Sequence, residues 1–172
     1  DFGKIEKEFD SNSYMSKIIM DKNNCLNHFC NIGFQTFLNS QEEMDLLNKL
    51  NFEFHRIGIV NRNIQMVEPL LRDTHLLSVD FKSIKASELN FAHNFPNGFE
   101  SDQICSISRY AGLSNSISAI GFFELLSSSV SSSLLSQAIW YFIEGFCLRI
   151  DEDPKSESFN GYTYNVICEG TN

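Results

Sequence analysis

Uninterrupted apolar runs alternate with segments of helical periodicity along the chain. Apolar residues at helical spacing predict helices over residues 13–20, 40–50, 101–113 and 133–150. Continuous apolar runs predict strands over residues 31–38, 55–60, 75–80, 116–124 and 161–168. Strands that are apolar throughout are typical of a parallel sheet covered on both faces. The pattern therefore predicts one α/β domain over residues 1–172, built as a three-layer α/β/α sandwich with a mainly parallel sheet.

Several residues predict where these elements begin and end. Ser40, followed three residues later by Glu43, predicts a capping box at the start of the helix over residues 40–50. Ser101 is the predicted cap of the next long helix, and Gly112 is predicted to end it. Residues 83–100 are predicted to form a polar loop, and residues 63–73 a helical segment broken by proline. The serines after the strand over 116–124 are predicted to form a turn.

Composition narrows the classes of function. The 172 residues are 42% hydrophobic, which is enough for one domain with a core. A net charge of -9 argues against nucleic-acid binding, because that function needs a basic face. We find no apolar run of the roughly 18 residues that a membrane span needs, no secretory signal and no glycine-rich phosphate motif. We expect a cytoplasmic protein without membrane insertion, and the initial Asp1 predicts that the chain begins inside a longer product.

The five cysteines, at positions 25, 30, 105, 147 and 168, are widely spaced and do not predict a disulfide framework. Cys105 and Cys147 lie in apolar helical patterns and are interpreted as small core residues. Cys25, His28 and Cys30 offer three soft ligands within six residues. Structural zinc sites need four ligands, and no fourth residue at suitable spacing is visible. The sequence therefore favours a partly buried loop over a metal site here.

Acidic residues end two of the predicted strands. Asp80 ends the run over residues 75–80, and Glu124 ends the run over residues 116–124. In open parallel sheets, functional groups collect outside the carboxyl ends of strands. Lys82 lies two residues after Asp80, which is unfavourable beside a bound cation, and His93 is the histidine placed nearest to a cleft at this edge. An ordinary pair of strand-end turns is the alternative interpretation.

The order and spacing of several segments resemble the second half of the arginase, agmatinase and formimidoylglutamase family. The resemblance covers nearly all of residues 1–170. Within the family, the sequence is most similar to a divergent bacterial branch described as formimidoylglutamase-like. The segments that carry it are "RDTHLLSVDFKSIKAS", "PNGF", "ICSISRYAGLS", "ISAIGFFE" and "AIWYFIEGF". It implies a three-layer α/β/α fold, of which this chain holds only the second half. It also implies a site for two manganese ions, where a bridging hydroxide attacks a guanidinium or amidine carbon.

The residues that match the family's metal motif are few. Ser78 and Asp80 match the first two positions of Ser-x-Asp-x-Asp, but Lys82 stands where the second aspartate is expected. Glu124 matches the acid that follows the last core strand. The earlier Asp-x-His-x-Asp motif would fall at the start of this chain, where only Asp1 could belong to it. The resemblance therefore implies that Asp80 is a vestigial metal ligand, and we expect no bound cofactor.

Three hypotheses follow. The first is a non-catalytic homologue with a degraded manganese site that acts through binding or scaffolding. The second is an active manganese-dependent hydrolase of linear amidine or guanidino C–N bonds, whose other ligands lie upstream of this chain. The third is an unrelated α/β domain that binds a small anion through Lys82. Because half of a parallel sheet leaves an unpaired edge, we also expect the missing half, a second copy or a protein partner to cover that edge, through a contact at the sheet edge or at a helix face.

Overall fold

In this computed structural model, residues 14–21, 23, 26–90 and 95–150 are described. The strands within these ranges are β1 (Cys30–Phe34), β2 (Glu53–Arg56), β3 (Leu76–Asp80) and β4 (Ala119–Phe123). The helices are α1 (Tyr14–Met20), α2 (Gln41–Lys49), α3 (Ile57–Val60), α4 (Val67–Leu71), α5 (Ala86–Leu89), α6 (Ser101–Leu113) and α7 (Ser129–Cys147). The predicted strand over residues 161–168 lies outside the described residues. The single domain over residues 1–172 stays a prediction.

The four strands form two parallel pairs. In the first pair Cys30 lies opposite Glu53, and in the second Asp80 lies opposite Phe123. Parallel neighbours need a crossover connection, which is helical here: α2 joins β1 to β2, and α5 and α6 lie between β3 and β4. The predicted α/β class with parallel strands is confirmed.

The core joins the segments that follow the strands to the long helices. Its members are buried apolar side chains from α3, α4, α5, α6, α7, β3 and the turns between them. The most enclosed of them include Val60, Val67, Phe81, Ile84, Leu89, Ile104, Ala111 and Ala138. Burying an aliphatic or aromatic side chain of this size contributes about 1.5–3 kcal/mol. Phe81 and Ile84 therefore fix the segment after β3 firmly to the rest of the fold.

Helices α6 and α7 pack against each other at two glycines. A Cβ atom on Gly112 would collide with the carbonyl oxygen of Phe142, and one on Gly145 with the carbonyl oxygen of Arg109. The two helix backbones are therefore in direct contact. The predicted helix over residues 101–113 is confirmed at both ends, but Gly112 lies inside its last turn, where the missing side chain allows the crossing with α7.

Hydrogen bonds at the starts of α2 and α7 explain why the first prediction is confirmed and the second is wrong. Ser40 Oγ accepts from Glu43 N at 3.2 Å and Glu43 Oε2 accepts from Ser40 N at 2.8 Å, which confirms the capping box. Helix α7 begins at Ser129, four residues before the predicted start, because Ser128 Oγ accepts from Ser131 N at 3.1 Å. The expected serine-rich turn is therefore the cap and first turn of that helix.

The cap of α6 also differs from the prediction. Glu100 precedes the helix, and Ser101 is its first residue instead of its cap. The Ser101 amide and hydroxyl both donate to Glu88 Oε2, at 3.0 and 2.6 Å. These two bonds from Ser101 lower the pKa of Glu88. Glu88 lies in α5, inside the stretch that was predicted to be only loop, so this short helix supplies a carboxylate to the positive end of α6.

The apolar run over residues 55–60 is not one strand. Strand β2 ends at Arg56, and Ile57 and Val60 are buried three residues apart in α3, while Gly58 and Ile59 are exposed. An unbroken apolar run fits both a strand and a buried helical turn, and here the helical spacing decides. Similarly, β1 ends at Phe34 and a 3₁₀ turn occupies Thr36–Leu38.

Burial departs from prediction along β3 and β4, where only Val79 is buried, and at Cys147. The runs in β3 and β4 were expected to be fully buried, yet Leu76 is 64% exposed and Phe123 is 55% exposed. They lie at opposite ends of the β3–β4 ladder, where the core no longer covers the strands. Cys105 is buried as predicted, but Cys147 is exposed, because it lies at the last position of α7. Within the described residues, no helix combines the length and apolar character needed to cross a membrane.

We expect Gly112→Ala and Gly145→Ala each to lower the free energy of unfolding by about 3 kcal/mol or more, because backbone cannot move aside as a side chain can. Gly58→Ala is the matched control, since no atom lies within 4 Å of a Cβ built on this helical glycine. Urea denaturation of the three variants measures the difference. A cost at Gly112 within about 0.5 kcal/mol of that at Gly58 would contradict the direct backbone contact.

Glu88→Gln should lower the free energy of unfolding by about 1 kcal/mol at neutral pH, because the charged acceptor at the start of α6 is lost. The folded-state pKa of Glu88 lies below its ordinary value of 4.5. Its stabilisation is therefore present above that value and is lost as the pH falls through the folded pKa. Denaturation midpoints of the wild type and the variant should converge in acid. Ser101→Ala should shrink the difference at neutral pH, and a difference independent of pH would contradict this role.

Candidate functional site

The parallel register of β3 and β4 places the two predicted acids at one edge. Asp80 is the last residue of β3, and its partner across the ladder is Phe123, the last residue of β4. Glu124 follows immediately. Asp80 and Glu124 are both exposed. The two strand-end acids and Lys82 therefore lie together at the carboxyl edge, as the sequence predicted.

The Asp80 carboxylate forms a local hydrogen bond. Its Oδ1 accepts from the backbone N of Lys82 at 2.8 Å, which starts the 3₁₀ turn Phe81–Ser83. Ser83 Oγ donates to the Asp80 carbonyl oxygen at 2.6 Å and closes the same turn. Aspartate commonly stabilises turns in this way. One carboxylate oxygen is therefore already used by the chain itself.

Lys82 forms an ion pair with Glu124. The preceding residue, Phe81, is buried and packs edge-on against Phe122 with ring centroids 6.2 Å apart, so the turn holds Lys82 outside the core. Lys82 Nζ lies 2.8 Å from Glu124 Oε2. The hydrogen bond to Glu124 raises the pKa of Lys82 by more than desolvation lowers it, and the charges of Glu124 and Asp80 raise it further. The ammonium is therefore charged and already has an anionic partner, which disfavours the hypothesis of an anion-binding lysine.

Glu124 has an unusual backbone conformation. Its φ is +54°, in the left-handed region that residues other than glycine rarely adopt. Such a conformation costs on the order of 1 kcal/mol and persists where the surroundings impose it. The bend therefore turns the chain sharply out of β4 directly beside Lys82.

The two remaining residues predicted at the site are Ser78 and His93. Ser78 lies in β3 opposite Gly121 and is exposed, two positions before Asp80. Because side chains alternate along a strand, Ser78 and Asp80 share one face of β3. His93 lies outside the described residues.

An amide pair near the carboxyl end of β1 was not predicted. Gln35 Nε2 donates to the Asn97 carbonyl oxygen at 2.9 Å, and Asn97 Nδ2 donates to Gln35 Oε1 at 3.1 Å. Asn61 Nδ2 donates to the Gly98 carbonyl oxygen at 3.2 Å. These bonds attach the Asn97–Gly98 turn to the segments that follow β1 and β2. The sequence predicted the turn, but it held no signal for partners 62 positions apart.

Two of the three soft ligands singled out in the sequence, His28 and Cys30, lie beside residues of β2. Cys25 lies outside the described residues, whereas Cys30 lies against Glu53 and His55, with the three potential ligand atoms within 4.8 Å of one another. Burial and the Glu53 carboxylate raise the pKa of Cys30 to about 12, so its thiol is protonated at neutral pH. The sequence did not reveal this group because its members come from two strands more than 20 positions apart.

Comparisons with known proteins place the fold. A comparison with protein-family models found no match, and neither did a comparison with curated protein sequences. Formimidoylglutamase from Bacillus subtilis matches structurally with a TM-score of 0.60 and 19% identity, over 70% of this chain and 41% of that chain. Trypanosoma cruzi formiminoglutamase, solved with Mn²⁺, matches with a TM-score of 0.69 and 13% identity, over 81% of this chain and 52% of that chain.

An Entamoeba histolytica arginase in complex with L-ornithine matches with a TM-score of 0.56 and 13% identity, over 66% of this chain and 42% of that chain. The chain thus spans about half of the length of the solved structures that it matches. Identities this low establish the fold alone. The chain has the arginase-like α/β fold that formimidoylglutamases and arginases share.

Proposed function

We propose that this chain is a homologue of the formimidoylglutamases and arginases whose manganese site is degraded, and that it acts through binding or scaffolding. The observation that carries the proposal is the ion pair at the carboxyl edge, where Lys82 Nζ lies 2.8 Å from Glu124 Oε2. A side chain with a permanent positive charge stands where the resemblance implies a metal ligand. The proposal includes no bound cofactor.

The described residues of this edge are poorly suited to a pair of manganese ions. Manganese binds best where several carboxylate oxygens converge. One oxygen of Asp80 accepts from the Lys82 amide, and Glu124 pairs with the Lys82 ammonium. Two unit charges about 4 Å apart repel by about 4 kcal/mol near a protein surface, and a divalent ion doubles this. Solvent reduces the figure because the Lys82 side chain is 59% exposed, but its sign opposes metal binding.

The second candidate function is an active manganese-dependent hydrolase of linear amidine or guanidino C–N bonds. The observation that favours it is length, since the chain spans about half of the structures that it matches. The remaining ligands would then come from residues upstream of this chain. For that site to form, Lys82 would have to leave Glu124 and point away from the ions.

Metal content of the complete natural protein separates the two. We expect the protein, dialysed against Mn²⁺, to retain no stoichiometric manganese by plasma mass spectrometry and to hydrolyse neither formimino nor guanidino substrates. Lys82→Asp should raise the affinity for Mn²⁺ by at least about tenfold, because an oxygen donor replaces a cation. Lys49→Asp, at an exposed lysine that ends α2, is the matched change of charge and should have no such effect.

Retention of two manganese ions that are lost in Asp80→Asn, together with hydrolysis, would establish the active enzyme instead. An equal response of Lys82→Asp and Lys49→Asp would show that Lys82 does not control metal binding at this edge.

We further propose that a second copy or a protein partner covers the unpaired sheet edge or an exposed helix face of this chain. The support is an apolar face on α7, whose exposed members are Ile139, Trp140, Ile143 and Phe146. Their spacing places them on one side of the helix. Exposed apolar patches of this kind mark interaction surfaces. Neither nucleic acid nor a membrane is part of the proposal, and the cytoplasmic location stays a prediction.

Ile143→Glu tests this surface against Gln137→Glu, which adds the same charge at an exposed polar position of α7. Light scattering after size exclusion should give a mass above that of the monomer for the wild type and for Gln137→Glu, and a lower mass for Ile143→Glu. A wild-type monomer that captures no partner from its source, or an assembly that Ile143→Glu leaves unchanged, would contradict the proposal.

A further inference from the structure

Side chains of the types that bind metal ions lie together at the amino-terminal ends of β1 and β2, away from the carboxyl ends of β3 and β4. We propose that they form a site for one zinc ion, whose ligands are His28, Cys30, Glu53 and His55. The proposal does not depend on the function proposed above, because it involves different residues, a different pair of strands and a different metal.

Strand geometry brings these residues together. In the parallel register, Cys30 lies directly opposite Glu53, and Ile32 lies opposite His55. Side chains two positions apart project from the same face of a strand, so Glu53 and His55 share the face of β2 beside Cys30. The pairing continues one residue before β1, because the Glu53 amide donates to the Phe29 carbonyl oxygen at 3.0 Å. His28 therefore stands beside the same face.

Three of the four proposed ligands lie at distances close to those of a formed site, and the fourth, His28, contacts Glu53. The ligand atoms of Cys30, Glu53 and His55 all lie within 4.8 Å of one another. His55 Nε2 lies 3.2 Å from Glu53 Oε2, and His28 Nε2 lies 3.8 Å from Glu53 Oε1. In a tetrahedral zinc centre with bonds of about 2.0–2.3 Å, neighbouring ligand atoms are about 3.3–3.8 Å apart. Small side-chain movements would bring Cys30, Glu53 and His55 to these distances, whereas His28, which contacts only Glu53 of the three, would have to rotate toward the other two to complete the set.

The ligand set selects the metal. Two imidazoles, a thiol and one carboxylate favour zinc over calcium, magnesium or manganese, which prefer oxygen donors. Zinc also displaces the proton of a coordinating thiol, so the protonated state of Cys30 without metal is no obstacle. The negative charge of Glu53, which disfavours a lone thiolate beside it, favours a divalent cation at the same point.

The surroundings provide both access and support. The Glu53 side chain is 48% exposed and that of His28 is 55% exposed, so an ion reaches the site from solvent. Cys30 is half-buried and supplies a fixed inner ligand. The His28 ring packs edge-on against Phe52 at 6.5 Å, and Phe52 in turn packs against Phe29 at 5.7 Å. These contacts restrain the outermost ligand.

Four protein ligands would close the coordination sphere and leave no position for substrate, which is the arrangement of a structural zinc site. Such an ion would join β1 to β2, a two-stranded pair within the described residues. Direct polar contacts between Glu53 and the two imidazoles, without a metal, are the alternative explanation of the same geometry. They do not require a thiol at the same point, and zinc binding distinguishes the two.

The test uses the untagged full-length protein, purified without chelator, with Zn²⁺ and Co²⁺ as probes. We expect one zinc ion per chain by isothermal titration, and a higher melting temperature with zinc because the ion binds the folded state. Cobalt should give the visible absorption of a tetrahedral centre together with a near-ultraviolet sulfur-to-cobalt band. Cys30→Ser should abolish the sulfur band, and Glu53→Gln and His55→Gln should each weaken zinc binding by at least about tenfold.

Two controls carry the same changes outside the site. Cys147→Ser removes another free thiol, and His75→Gln removes another exposed histidine, so both should bind zinc as the wild type does. Glu53 is exposed enough for its variant to fold, which circular dichroism of the metal-free protein verifies. An absence of stoichiometric zinc would overturn the site. So would a sulfur band that survives Cys30→Ser, or affinities that Glu53→Gln and His55→Gln leave unchanged.

Discussion

The parallel register of β3 and β4 is the constraint on which the carboxyl edge depends. Because Asp80 and Phe123 are partners across this ladder, the acids that end the two strands come to one place. Lys82 follows on a turn that Phe81 anchors in the core, and its ammonium meets Glu124 at 2.8 Å. A parallel sheet normally gathers ligands for a substrate or a metal at this position. Here the described part of the chain pairs its own charges instead.

The rest of the fold keeps this edge in place without taking part in it. Helices α6 and α7 cross with their backbones in contact at Gly112 and Gly145, and the core beneath them includes Phe81 and Ile84. This packing holds the turn after β3 whether or not any ion binds at its end. The residues at the carboxyl edge are exposed while those of the core are not, so the packing of the core does not involve them.

The sequence predicted elements well where several local signals agreed. The helix after Ser40 was predicted correctly because its capping residues and its apolar period agree. The strand ending at Asp80 was predicted correctly because a continuous apolar run stops at an acidic residue. Residues 57–60 were assigned to a strand because apolar content alone does not separate a strand from a helical turn. Gly112 was read as a helix stop because the glycine requirement comes from a distant backbone in α7. Pairings such as Cys30 with Glu53, or Gln35 with Asn97, depend on strand register and loop closure, which a single sequence does not encode locally.

The most direct measurement is the crystal structure of the complete protein soaked in Mn²⁺, with anomalous data collected at the manganese absorption edge. If the carboxyl edge is neutralised internally, Lys82 Nζ will remain within hydrogen-bonding distance of Glu124, and no anomalous peak will lie within coordination distance of the Asp80 carboxylate. Two neighbouring manganese peaks ligated by Asp80, with Lys82 swung away from Glu124, would contradict the proposal.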